Sequence, residues 1–289
     1  KESEVVYLSG NSPLVLVIRE SLARDKKKRT GLPLTTTRLD VRTQIQHIID
    51  FLREYLSEGT KQPPYERAIV FDEAQRAWDA KYGEKKFGRT ASEPSLLLEI
   101  MGRHQGWSVI VCLIGNGQEI NSGENGLREW GRALSQLPTT VRQEWRIFGP
   151  ETLATSEPSD SSFSLGVIPK SIQFVPDPAL ELKVPIRSYR SPRVADWVEE
   201  VLAGNAAKAF DLSLGLGNYP IHLTRSLSTM RAWLNERGRG ERRFGLVASS
   251  EARRLRGEGL GVSLNANDGD KIAHWYLNTK GDIRVLAAE

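Results

Sequence analysis

Seven short runs rich in β-branched residues punctuate this chain: VVYL (5–8), AIVF (68–71), VIVCLIG (109–115), RIFG (146–149), IHLT (221–224), FGLVAS (244–249) and IRVLAA (283–288). Most lack the apolar–polar alternation of a strand with one wet face, so they read as parallel strands buried on both faces. Parallel neighbours need long crossovers, and amphipathic stretches fill the intervals. The expected class is α/β, with parallel sheets and flanking helices.

Three crossovers carry readable helix signals. Ser12 caps a helix with Pro13 at its first position, running to about Arg24. Asp40 opens a second, with Val41, Ile45, Ile48, Leu52 and Leu56 on one face and Gly59 as its stop. Ser191 and Pro192 repeat the capping device before RVADWVEEVLAG, where Val194, Trp197, Val198 and Val201 make a buried stripe. Around residues 150–180 the composition turns to Pro, Ser and Asp, which suits a linker. At 289 residues the chain exceeds the comfortable size of one core, so a boundary is expected near 178, giving units 1–178 and 179–289.

The net charge of +4 is modest, and the cations cluster. Lys26, Lys27, Lys28 and Arg29 form one block; Arg237, Arg239, Arg242, Arg243, Arg253, Arg254 and Arg256 form another. Solvated loops and phosphate contacts both account for such runs. The single cysteine, Cys112, excludes an internal disulfide framework and fits a reducing compartment. Inside VIVCLIG it reads as core filler rather than a nucleophile. No run approaches a membrane span and no signal peptide opens the chain, so a cytoplasmic protein without a membrane partner is expected. The start, KESEVVYLSG, lacks an initiator methionine and enters a strand at once, which reads as part of a longer chain with other domains. The four histidines lack metal-ligand spacing, and Trp107 and Trp130 are read as core.

Within RAIVFDEAQRAW, Asp72 and Glu73 close an apolar run. Acidic residues often mark a strand's exit from the core. In nucleotide-hydrolysing α/β folds, however, ligands gather at the carboxyl ends of parallel strands. There Asp72 is the candidate holder of Mg2+, which needs only one protein carboxylate beside phosphate oxygens and water. Glu73 is the candidate base for an attacking water. A second strand ends in Gly115, Asn116, Gly117 and Gln118, where glycines admit a ligand to the backbone and an amide can sense a phosphate. In VPIRSYRSPRVADWV, Arg187 and Arg190 precede a helix and can reach a phosphate, although pairing with surface acids explains them too.

In order and position these pieces resemble the helicase-like ATPases of superfamily one. IVFDEAQ is similar to motif two, IGNGQE to motif three and SYRSP to motif four, with Asn116 standing where many helicases have aspartate. A closer resemblance is to the Schlafen-like DNA/RNA helicase domain. YLSGNSPLVLVIRESLARD, IVFDEAQRAW, GNGQEINSGENGLREW, IRSYRSPRVADWV and GLVASSEARRLRGEGLG look like its blocks, in its order.

The resemblance implies a P-loop NTPase of two RecA-like lobes, 1–178 with motifs Ia, two and three and 179–289 with motif four. It implies ATP and Mg2+ as cofactors. Glu73, Gln118 and Arg190 are then catalytic, and Asp72, Gln75, Gly115, Gly117 and Arg187 line the nucleotide site. Ser9 and Asn11 in motif Ia, with Ser249, Ser250, Arg253 and Arg254, are implied contacts to single-stranded DNA or RNA.

Against the family, the chain reads as the middle of an ATPase, cut at both ends. No glycine-rich loop ending in Lys and Ser or Thr occurs in the 289 residues, and motifs five and six are missing. A helicase-like binding module that hydrolyses nothing is therefore the alternative. A metal-dependent nuclease built on Asp72 or Asp79 with Glu84 and Lys86 is disfavoured, because that stretch reads as a helix and a basic loop.

Overall fold

The computed structural model describes residues 4–57, 61–115, 126–142, 144–154, 164–182, 193–217, 219, 221–238, 240, 244–245, 253–258 and 269–279. The chain divides into two compact units, 1–177 with 250–289 and 178–249.

The first unit opens with β1 (Val5–Ser9) and α1 (Ser12–Thr30). Asn11, not Ser12, caps α1: its side-chain oxygen accepts the Leu14 N–H at 3.2 Å. Ser12 and Pro13 are thus the first helical residues. The helix passes the expected end at Arg24 and stops at Gly31, whose φ of 73° costs glycine little. Lys27, Lys28 and Arg29 therefore form its last turn, where cations complement the helix dipole.

The single helix expected from Asp40 to Gly59 is instead three elements: α2 (Leu34–Gln44), β2 (Ile45–His47) and α3 (Ile48–Leu56). Ile45, Gln46 and His47 pair in parallel with Tyr7, Leu8 and Ser9. The ladder to β1 overrides a helical spacing that the sequence shows clearly. Then follow β3 (Ala68–Asp72), α4 (Ala80–Phe87), α5 (Glu93–Met101), β4 (Val109–Cys112), α6 (Leu127–Gln136), α7 (Thr139–Arg142), β5 (Arg146–Gly149) and β6 (Gln173–Pro176). The sheet order is β2-β1-β3-β4, all parallel, and β5 and β6 form a second parallel pair. The stretch expected to be a linker thus contains a strand.

Right-handed crossovers explain the layering. The chain moves one way along the sheet from β1 to β2 and the other way from β2 to β3 to β4. Helices α3 and α5 therefore share one face. On it Val6, Leu8, Ile69 and Phe71 join Phe51, Leu52, Leu97, Ile100, Met101 and Trp130 in one buried core. The α1 helix packs instead on α2, β1 and β2. The direction reverses between β1 and β3, which opens a crevice at their carboxyl ends.

The second unit contains α8 (Arg193–Leu202), α9 (Ala206–Ser213) and α10 (Leu227–Arg237) among its described residues. The apolar stripe of α8 is not buried: Val198 and Val201 are 40% and 47% exposed, because among the described elements α8 packs mainly on α9. Residues 221–224 form no strand. Of FGLVAS only the first two residues are described, and IRVLAA lies outside the described residues. Finally, α11 (Gly269–Leu277) packs on α1, where Arg24 donates to Asn278 at 2.7 Å. The segment 250–289, expected in the later unit, accordingly groups with the first. No helix among the described residues is long and apolar enough to cross a membrane.

Candidate active site at the carboxyl end of the sheet

Side chains alternate faces along a strand, so residues paired in register share a face. The last paired row, His47, Ser9 and Asp72, is polar and crosses β2, β1 and β3 at the crevice. Tyr7 stands one row below on that face and donates its hydroxyl to Asp72 Oδ2 at 2.5 Å. Burial, followed by the carboxylate itself, pushes the Tyr7 pKa above its ordinary value. The phenol stays a donor and orients the carboxylate.

Glu73 has φ 55° and ψ 43°, the left-handed conformation, unlike any other non-glycine residue among those described. Such backbone costs an L-residue roughly 1–2 kcal/mol and persists where its surroundings enforce it. The enforcement is visible. Leu113 N–H donates to the Phe71 carbonyl at 2.9 Å, and Ala74 N–H donates to the Leu113 carbonyl at 3.0 Å. The buried Trp130 indole donates to the Ala74 carbonyl at 2.8 Å. Gln75, 1% exposed, donates Nε2–H to Glu73 Oε2 at 2.7 Å and accepts the Gly115 N–H on Oε1 at 3.2 Å. One buried amide thus ties the Glu73 carboxylate to the segment leaving β4.

On the other flank, His47 Nδ1 accepts the Ile49 N–H at 3.2 Å as the cap of α3, and its Nε2 lies 3.1 Å from the Gly10 carbonyl. These partners fix the neutral tautomer protonated on Nε2. Burial, as the leading cause, holds the His47 pKa below its usual value.

Among the sequence-derived candidates, Asp72, Glu73, Gln75 and Gly115 meet here, with Ser9 and Asn11 on the neighbouring strand end. Ser9 is fully buried and its hydroxyl accepts the Asn11 N–H at 3.2 Å; Asn11 in turn caps α1. Both side chains serve the turn. Asn116, Gly117, Gln118, Arg187, Arg190, Ser249 and Ser250 lie outside the described residues. Arg253 and Arg254 open a short 3-10 helix, Arg253–Glu258, with Arg254 exposed. Asp79 caps α4 by accepting the Tyr82 N–H at 2.8 Å, so the nuclease arrangement is not built on strands. The Cys112 thiol is pushed up to about 12 by burial, which suits an inert side chain. Trp130 is core as expected, whereas Trp107 is 55% exposed beneath the Arg67 guanidinium, so its expected core role is corrected.

Sequence reasoning missed Tyr7 and His47. Once β1 and β3 are paired, Tyr7 lies diagonally beside Asp72; His47 was hidden by reading β2 as helix. Among the described residues, no three His, Cys, Asp or Glu side chains gather to hold a metal. A single carboxylate is nevertheless enough for Mg2+, whose other ligands are waters and substrate oxygens, so Asp72 would suffice to hold it.

A parallel α/β sheet carrying adjacent carboxylates at the switch point has the crevice at which doubly wound folds gather their ligands. The chain belongs to the family described as Schlafen group 3, DNA/RNA helicase domain, whose model matches residues 1–287. Neither the curated proteins nor the solved structures gave a match.

Proposed function

We propose that the chain forms the central part of a nucleic-acid-dependent ATPase, built as two RecA-like lobes that bind single-stranded DNA or RNA. The observation that carries this reading is the pair Asp72 and Glu73 on an enforced turn, with Gln75 linking the Glu73 carboxylate to the end of β4. Asp72 would hold Mg2+, with Tyr7 orienting its carboxylate. The ion supplies charge neutralisation to the transferring phosphoryl group. Glu73 accepts the proton of the attacking water, and Gln75 holds that carboxylate in place. Gln118 senses the phosphate, and Arg190 stabilises the charge that develops on it. The reading requires a phosphate cradle, which the 289 residues do not contain.

The test is nucleic-acid-stimulated phosphate release by the full-length protein carrying these residues. Glu73→Gln lowers the rate about 10²- to 10⁴-fold while leaving nucleotide binding intact. An unchanged rate would remove Glu73 from the mechanism; no turnover by the unmodified protein would favour the binding module.

A further inference from the structure

The segment that follows the carboxylates, residues 76–90, has no role in this mechanism. It holds five cations, Arg76, Lys81, Lys85, Lys86 and Arg89, against two carboxylates, Asp79 and Glu84. Asp79 is engaged as the cap of α4. Arg89 reaches Glu93 at 3.9 Å. Several cations elsewhere in the unit also have an acidic partner: Arg24 and Arg38 share Glu20, Lys26 meets Asp40, Arg29 meets Asp25, and Arg103 meets Glu99. Lys81 and Lys85 are exposed and form no ion pair among the described residues, and four-residue spacing puts them on one row of α4. An aromatic cluster runs alongside. The Trp78 ring is 4.5 Å from Tyr82 and is stacked on Phe87 at 5.5 Å, and the Arg89 guanidinium lies 4.8 Å over Phe87. These rings brace one another, yet Trp78, Tyr82 and Phe87 each keep part of their surface in water. Gly88, at φ 67°, ends α4 and returns the chain so that Arg89 N–H reaches the Gly83 carbonyl at 3.2 Å.

We propose that this α4 surface is a binding subsite for single-stranded nucleic acid, with Lys81 and Lys85 on phosphates and the Trp78–Tyr82 edge against the bases. It rests on the reading above that the chain engages a single strand. An acidic peptide would satisfy the lysines alone. The unpaired lysine row beside braced, partly exposed rings matches the alternation of charge and flat apolar surface in a single strand. The segment begins three residues after Glu73, so a strand held here couples directly to the carboxylate turn.

The test is fluorescence anisotropy of the 289-residue chain with a labelled oligothymidylate, titrated across salt concentrations. Lys81→Glu with Lys85→Glu weakens binding about tenfold and lowers the slope of log affinity against log salt by about 1.4, from two lost phosphate contacts. Tyr82→Ala weakens it about fivefold or more. A charge-matched control, Lys27→Glu with Lys28→Glu on the last turn of α1, leaves affinity within about twofold, and circular dichroism checks the fold of each variant. If the control weakens binding as much, or if the α4 variants bind normally, the subsite is wrong while strand binding stands. If the unmodified chain does not bind the oligonucleotide at all, the subsite and the nucleic-acid reading fall together.

Discussion

Glu73 shows what a residue contributes through its backbone before its side chain acts. A left-handed φ at a glutamate is unfavourable, and glycine would relieve it. Glu73→Gly and Glu73→Ala both delete the carboxylate and the bond from Gln75, so they differ mainly in backbone cost. Glu73→Gly is expected to be more stable than Glu73→Ala by about 1 kcal/mol, measured as paired urea midpoints at one m-value. Equal midpoints would mean that the turn relaxes. The carboxylates themselves were legible, because an apolar strand ending in Asp and Glu is a strong local signal. Their restraints were not, since the Tyr7 and Trp130 hydrogen bonds join Asp72 and Ala74 across 65 and 56 residues.

At the level of elements, the junction of β2 and α3 depends on one imidazole. His47 caps α3 only while Nδ1 is unprotonated, and its folded pKa lies below the ordinary 6.5, chiefly through burial. The unfolded chain therefore takes up the proton first as pH falls. This stability is fully present above about pH 6.5 and is lost as pH drops from there through the folded pKa. His47→Asn keeps a capping oxygen and is expected to flatten the stability profile between pH 7.5 and 5, whereas His47→Ala costs about 1 kcal/mol at pH 8. A profile unchanged in His47→Asn would assign that pH dependence to other groups. The same junction explains why the sequence misled here. Val41, Ile45, Ile48 and Leu52 keep helical spacing, and three ladder pairs to β1 decide the outcome against it.

For the molecule as a whole, the reversal of crossovers that opens the crevice also leaves the sheet unevenly covered. One face is sealed by α3, α5 and α6. On the opposite face, Val109, Val111 and Leu113 of β4 and the residues just after it are 43%, 42% and 40% exposed. Among the described residues β4 ends its sheet, so this apolar surface lies at an open edge. Parallel sheets normally bury both faces, and an uncovered apolar edge favours association. The face continues up to Asp72, which is where the ATPase reading needs its phosphate cradle to be supported. The 289-residue chain is accordingly expected to self-associate with rising concentration in sedimentation velocity. Val111→Lys should shift it toward monomer, with a melting temperature within about 2 °C because little buried area is lost. A chain that stays monomeric at every concentration would show that the valines are covered in solution by residues of the same chain.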